Sequence, residues 1–203
     1  MFLHNLKIAV RNLAKQKVLS FINISGLSIG LGCFILFLLF AVHEFTYDRF
    51  HRNNANIYRV AEWFNTPERQ GGEAFGGTPM GPALKADFPD VQDYARIQTG
   101  FEEKFVRVDN NVTSSKIFFA DPQLFHVFSF QTISGDAFAA LQNIQGLVLT
   151  NEKAIQLFGS TDVVGRRVDI KMGEAYEPFT VGAVIENIPT NSSLQFSILG
   201  SYN

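Results

Sequence analysis

The sequence predicts an α+β protein in which one N-terminal transmembrane helix is followed by a mixed domain of short helices and hairpins. The first observation is a run of 22 residues without a charge or a proline, Phe21–Val42. A helix of that length reaches about 33 Å, enough to cross the hydrocarbon core of a bilayer, which is about 30 Å thick. The second observation is that strand-forming and helix-forming segments alternate in the rest of the chain, which favours an α+β domain over a sandwich.

The apolar run is predicted to be an uncleaved signal anchor over residues 21–42. From Leu31 onwards it is apolar on every side, whereas the core helix of a soluble protein usually has a polar face. The run is also longer than the apolar segment of about 7–15 residues in a cleavable signal peptide. No small-residue cleavage site stands at Leu39–Val42.

Charges on either side of the run orient it. Acidic residues are absent before it, and the basic residues there are Lys7, Arg11, Lys15 and Lys17. Both signs are balanced after it, in Glu44, Asp48, Arg49, Arg52, Arg59 and Glu62. The positive-inside rule therefore predicts residues 1–20 on the cytoplasmic side, as a basic amphipathic helix at the membrane interface, and residues 43–203 on the far side.

Composition excludes several functional classes. A net charge of −2 and a pI of about 6.1 predict no nucleic-acid partner. The single cysteine, Cys33, lies inside the apolar run, so the outer domain is predicted to have no disulfide. The sequence contains no GxxxxGK[ST] pattern, which predicts that this chain does not bind ATP by a P-loop. No catalytic, cofactor-binding or metal-binding residue is predicted, and the chain is not expected to be an enzyme.

Two motifs of known function occur inside the run, and a third pattern follows it. Gly26–Gly30 matches the G-x-S-x-G pattern of serine hydrolases, but Ser28 lies in a predicted membrane helix rather than a strand–turn–helix. The same glycines form a GxxxG motif, which would let a second helix approach closely.

The pattern after the run is a set of metal-ligating residue types. Glu44, Asp48 and His51 share one face if this segment is helical, and His43 lies next to them. Because Arg49 and Arg52 would repel a cation, an ion-paired, solvated face is predicted instead.

Local signals place the elements of the outer domain. Residues 65–81 are rich in glycine and proline and are predicted to be a flexible connection. Thr78-Pro79 is predicted to cap a short helix that ends before Pro89. Residues 101–120 are predicted to form a hairpin that turns at residues 109–111.

The second half of the domain is predicted in the same way. Asp121-Pro122 is predicted to open a short helix, with Asp121 as its cap and His126 on its face rather than in a catalytic role. Residues 147–149 form a predicted strand, and Thr150 caps a helix that stops at Gly159. A hairpin then joins residues 168–171 to 178–186 around Gly173.

Several ordered segments resemble FtsX-like permeases, the MacB-type permease subunits of ABC transporters that are abundant in Bacteroidetes. In the first part of the chain they are RNL at 11–13, SFINISGL at 20–27, EFTYDRFH at 44–51 and IYRV at 57–60. In the outer domain they are ADPQLFHVFSF at 120–130, LTNEKAIQLFG at 149–159 and VGAVIENIPTNSSLQF at 181–196. The resemblance therefore covers nearly the whole sequence, and residues 43–203 are similar to the periplasmic core domain of that family.

The resemblance implies a subunit of the bacterial inner membrane that works with a separate ABC ATPase and forms a dimer with a second permease subunit. Movement driven by ATP would then rearrange the periplasmic domain to export or release a substrate. The alternative is a stand-alone, membrane-anchored binding or adaptor module in the periplasm. Because members of the family continue through further spans, the domain is expected to be truncated at its C-terminus. On that expectation, strand 179–186 and segment 193–199 lack partners, and residues 44–203 self-associate.

Overall fold

The computed structural model describes residues 4, 11, 15–68, 70–100 and 102–202. The chain divides into two compact units, Met1–Tyr47 and Asp48–Asn203. Most of the predicted interfacial helix, including Lys7, lies outside the described residues. In the first unit, helix α1 spans Lys17–Phe45. It has 29 residues and a mean hydropathy of 2.4, and by length and composition it can cross a membrane.

The second unit alternates strands with short helices, which confirms the predicted α+β class. Its strands are β1 (Glu62–Asn65), β2 (Gln70–Glu73), β3 (Ile97–Gln98), β4 (Glu103–Val108), β5 (Asn111–Ala120), β6 (Thr132–Gly135), β7 (Gly146–Thr150), β8 (Arg167–Met172), β9 (Ala175–Ile185) and β10 (Ile198–Ser201). Its α-helices are α2 (Met80–Asp87), α3 (Leu124–Val127), α4 (Ala137–Gln142) and α5 (Asn151–Phe158), and a 3-10 turn covers Asn54–Asn56.

Six strands close into a ring of backbone pairings in the order β4–β5–β10–β7–β9–β8, with β8 returning to β4. Two contacts close this ring across long stretches of sequence. Strand β10 runs parallel to β5, with Ile198 opposite Ile117, and β7 runs parallel to β9, with Leu149 opposite Val184. Strands β3 and β6 extend the sheet beside β5 and β9.

The expectation that the last segments lack partners is wrong. Strand β9 pairs with β7 on one side and with β8 and β6 on the other. Strand β10 lies between β7 and β5. The error has a physical cause, because the apolar pattern of a strand shows which face is buried but does not identify its neighbour.

Two buried clusters stabilise the second unit. One draws apolar side chains from all six ring strands and from α5, and includes Leu147, Leu149 and Ile198. The other draws the alternate residues of several ring strands together with α3 and α4, and includes Val148 and Leu141. Because successive side chains of a strand point to opposite faces, all five residues of β7 are buried. This makes β7 a central strand of the core.

Several local predictions are confirmed. The β4–β5 turn has Asp109 in the left-handed region at φ 51°, and the β8–β9 hairpin turns at Gly173. Thr150 caps α5 by accepting a hydrogen bond from the Lys153 amide at 3.4 Å, and the left-handed Gly159 ends that helix. Short-range turn and cap signals were sufficient in these places.

Three local predictions are wrong. The segment predicted as a flexible connection contains β2, which pairs with β1 in a separate two-stranded sheet. Thr78 makes no capping bond to α2, and its hydroxyl lies 3.1 Å from that of Tyr202. Asp121 does not cap α3, because its carboxylate is bound by Arg96. In each case a distant partner in the fold outweighs the local signal.

Candidate functional site

The first residues of the second unit, which lie shortly after α1 in the sequence, are hydrogen-bonded to the rest of that unit. We call residues 48–52 the anchor segment. The Asp48 carboxylate accepts a hydrogen bond from the Ser193 amide at 2.8 Å and another from the Ser193 hydroxyl. The Asp48 amide donates to the Asn191 carbonyl at 2.9 Å. Three hydrogen bonds thus bind the start of the unit to the loop before β10.

The other end of the anchor segment is bound to the loop between α3 and β6. The Ser129 amide donates to Nδ1 of His51 at 3.1 Å, and the Arg52 amide donates to the Ser129 hydroxyl at 3.1 Å. The His51 ring is only 3% exposed. Its centroid lies 4.0, 5.0 and 5.3 Å from those of Phe50, Phe128 and Phe130. The imidazole is therefore the centre of an aromatic cluster that joins the anchor segment to residues 128–130.

The local backbone explains why this segment leaves the helix. Helix α1 ends at Phe45, and Asp48 adopts a left-handed conformation with φ 55°. Aspartate tolerates this region better than most residues because its short polar side chain can hydrogen-bond locally. Glu44, Asp48 and His51 therefore do not share a helix face. The described residues contain no group of three or more His, Cys, Asp or Glu side chains placed to hold a metal.

The prediction of an ion-paired, solvated face is also wrong for this segment. Arg49 and Arg52 are exposed, but His51 is buried and Asp48 is bound by a serine. The sequence indicated the importance of EFTYDRFH at 44–51, but nothing local in it identified Ser129 and Ser193 as the partners. Those residues lie 78 and 145 positions further along the chain.

Burial determines the protonation of the imidazole. Desolvation lowers the pKa of His51 below its ordinary value, and the charge of Asp48 acts in the opposite direction. Because Nδ1 accepts the Ser129 N–H, the proton of the neutral ring is on Nε2. That atom is buried without a hydrogen-bond partner among the described residues. Neutral His51 is thus the form that fits this cluster.

A second polar cluster surrounds Arg96. Its Nη2 and Nε atoms donate to the two carboxylate oxygens of Asp121 at 2.7 and 2.8 Å, and its amide donates to the same group at 2.9 Å. The hydrogen bonds to Asp121 raise the pKa of Arg96. The guanidinium also lies 4.6 Å from the ring centroid of Tyr202. This ion pair joins the residue before β3 to the residue after β5 and to Tyr202, the residue after β10, which is a structural role.

The remaining candidates show no converging chemistry. His126 is exposed, stacks on Phe138 at 4.3 Å and lies 3.8 Å from the carboxylate of Asp93. Ser28 lies within α1, which lacks the strand–turn–helix of a hydrolase. An open groove of about 440 Å³ lies between β5, α5 and the loop before β10, and its lining includes Lys116, Glu152 and Phe196. None of the side chains that line it is a His, Cys or Asp.

Comparison with known proteins identifies the family. A sequence model of the family described as MacB-like periplasmic core domain matches residues 20–202. The chain belongs to this family. Its members are periplasmic domains of ABC transporter permeases, and the matched residues include most of α1, the one candidate span among the described residues. The resemblance found in the sequence is therefore confirmed.

Two solved structures are similar to parts of this chain. A domain of a permease protein from Porphyromonas gingivalis is 23% identical, with a TM-score of 0.57, over 66% of this chain and 55% of that one. The periplasmic region of MacB from Actinobacillus actinomycetemcomitans is 17% identical, with a TM-score of 0.41, over 59% of this chain and 54% of that one. The first likeness supports the fold, and this chain matches just over half of each structure's length. No match was found among curated proteins.

Proposed function

We propose that this chain is the N-terminal part of an ABC transporter permease subunit. In this proposal a separate ATPase hydrolyses ATP, and the resulting movement of the spans displaces the periplasmic domain to export or release a substrate. The observation that carries the proposal is that this chain, a member of the MacB-like family, has an anchor segment that is hydrogen-bonded to the domain. Residues 48–52 are separated from the end of α1 by two residues and are hydrogen-bonded to two separate loops of the domain.

The proposed mechanism depends on the stiffness of the domain. A displacement that reaches the domain through the chain arrives at Asp48 and is passed to residues 191–193 and 128–130. The six-stranded ring has a paired neighbour on each side of every member, and its core is close-packed. Such a body moves as a whole rather than deforming locally. The anchor segment would therefore convert motion of the span into motion of the entire domain.

The proposal includes a topology and a set of partners. We place the chain in the bacterial inner membrane with the N-terminus in the cytoplasm and residues 43–203 in the periplasm, because the residues before the span include no acidic ones and contain Lys7, Arg11, Lys15 and Lys17. A reporter that is active only in the periplasm should work when fused after Phe64 and should be silent when fused at Lys17. The proposed partners are the bilayer, a separate ABC ATPase and a second permease subunit.

A fluorescence experiment on the complete permease with its co-purified ATPase tests the coupling. In a background in which Cys33 and every other native cysteine are replaced by serine, a donor is attached to Glu174→Cys, an exposed position in the β8–β9 turn, and acceptors to lipid headgroups of a nanodisc. ATP with vanadate should change the transfer efficiency relative to ADP, because the domain moves with respect to the membrane. Asp48→Ala should reduce that change, whereas Asp48→Asn, which keeps an acceptor oxygen, should retain more of it.

The same preparation separates the leading proposal from its alternative. The chain without its ATPase should not hydrolyse ATP, since it has no P-loop sequence. If no ATPase accompanies the permease and ATP leaves the transfer efficiency unchanged, the stand-alone binding module replaces the transporter proposal. If the efficiency changes equally in the wild type and in Asp48→Ala, the anchor segment is not the coupling element.

A further inference from the structure

The bond between His51 and Ser129 exists only while the imidazole is neutral. Nδ1 accepts the Ser129 N–H at 3.1 Å, and an imidazole nitrogen can accept only when it carries no proton. Protonation of the ring would place two N–H donors against each other at this contact. The other nitrogen, Nε2, is buried and has no acceptor among the described residues.

The surroundings of the ring cannot replace the lost bond. Phe50, Phe128 and Phe130 pack around the imidazole at centroid distances between 4.0 and 5.3 Å. Phenyl rings attract a cation weakly but offer no oxygen or nitrogen acceptor for two N–H groups. A protonated His51 would therefore be better satisfied in water than in this cluster. Its exposure requires the anchor segment to separate from residues 128–130.

We propose that the anchor segment is an acid-sensitive fastening, closed while His51 is neutral and released from residues 128–130 when His51 is protonated. The release involves one proton, taken from solvent onto Nδ1, and the Ser129 amide exchanges its imidazole acceptor for water. The second fastening, between Asp48 and Ser193, contains no imidazole and remains. Acid would thus loosen one of the two attachments. This inference concerns the domain itself and does not depend on coupling to an ATPase.

The charged side chains near the cluster do not replace His51 as the group that takes up the proton. Asp48, on the same segment, favours the protonated ring and partly opposes desolvation. Arg49 and Arg52 are exposed, and the bond from Arg52 to Ser129 is made by its backbone amide. On the other side of the cluster, the nearest ionisable side chain along the sequence is His126, which is exposed and lies beside Asp93.

The direction of the pH effect follows from burial. The pKa of His51 is lowered in the closed form, so the open form binds more protons below about pH 6.5. Above that pH the closed form therefore has its full stability relative to the open form, and this stability decreases as the pH falls. The opening equilibrium constant should rise by up to about tenfold per pH unit until the pKa of the closed form is reached, and should then level off.

Amide exchange of the full chain in detergent micelles tests this proposal. NMR would follow the Ser129 amide between pH 7.5 and 5, and each rate would be divided by the intrinsic rate at that pH. The protection factor of Ser129 should fall as the pH decreases. In His51→Gln, whose amide oxygen can accept a hydrogen bond but does not titrate, the protection factor should be independent of pH. The matched control, His126→Gln, should behave like the wild type.

The wild type alone also gives a decisive result, in case the variant does not fold. The ring protons of His51 should titrate below the ordinary pKa of a histidine, and the Ser129 amide resonance should shift with the same midpoint. A protection factor of Ser129 that does not change with pH would overturn the proposal. A fall that persists in His51→Gln would overturn it as well, because another group would then control the opening.

Discussion

The six-stranded ring and the β1–β2 sheet are both built from paired strands, but they differ in how far their side chains are buried. The ring buries its apolar side chains in two clusters, and each of its six strands has a neighbour on both sides. None of the eight residues of β1 and β2 is buried, and Trp63 is 79% exposed above Gly72. Because a two-stranded sheet is marginally stable alone, the two regions should differ widely in local stability.

The anchor segment resembles the ring rather than the sheet. Its hydrogen bonds reach residues 78 and 145 positions away, and His51 is buried. The β1–β2 sheet starts only ten residues after the anchor segment ends, yet its strands pair with each other alone among the described strands. Position in the sequence therefore does not determine how firmly a segment is held. Long-range hydrogen bonds and burial do.

The largest expected effect is at the centre of the ring. Leu149 is completely buried, opposite Ile198 on β10 and Val184 on β9. Leu149→Ala should lower the free energy of unfolding by about 2–5 kcal/mol, because it removes buried methyl groups and leaves a cavity. Urea denaturation of the full chain in micelles, followed by circular dichroism, measures the change. Ile144→Ala, at a position 66% exposed, is the control and should change it by less than about 0.5 kcal/mol.

The ion pair at the edge of the ring should come next. Arg96→Ala leaves the Asp121 carboxylate, whose side chain is 4% exposed, without its guanidinium partner. We expect a loss of about 2–3 kcal/mol, below the value for a fully buried pair because Arg96 is partly exposed. The same denaturation measures it, and Arg96→Lys should lose less. Equal free energies of unfolding for Arg96→Ala and the wild type would show that this ion pair does not stabilise the fold.

These two regions also show how far the sequence could predict the fold. The β4–β5 and β8–β9 hairpins and the Thr150 cap were predictable because their signals lie within a few residues. The parallel contacts of β7 with β9 and of β5 with β10 were not, since alternating apolar residues identify a buried face and not a neighbour. For the same reason the motif around His51 could be recognised, whereas Ser129 and Ser193 could not be assigned to it.

A smaller effect is expected in the anchor segment. Asp48→Ala removes both hydrogen bonds to Ser193 and places alanine at φ 55°, so we expect a loss of about 2 kcal/mol. Asp48→Asn keeps an acceptor and tolerates the left-handed backbone, and it should lose less than half as much. Denaturation of the two variants side by side gives the difference. Identical losses would show that the hydrogen bonds to Ser193 contribute nothing.

The smallest effect is expected in the β1–β2 sheet. Trp63→Ala should change the free energy of unfolding by less than about 0.5 kcal/mol, although tryptophan is the largest side chain, because its ring is already exposed to solvent. The same denaturation measures the change. A loss above about 2 kcal/mol would contradict the contrast between the two regions, because it would mean that the Trp63 indole is buried in solution.

Hydrogen exchange of the whole chain in micelles, at one pH near 7.5 and read by mass spectrometry, compares all these regions in one experiment. We expect peptides that contain residues 48–52, 128–130 and 191–193 to exchange slowly, on the timescale of β7. Peptides from β1 and β2 should exchange within seconds, because none of the residues of these two strands is buried. If residues 48–52 exchange as fast as β1 and β2, the anchor segment is not fastened to residues 128–130 and 191–193, and the proposed transmission of movement through it is wrong.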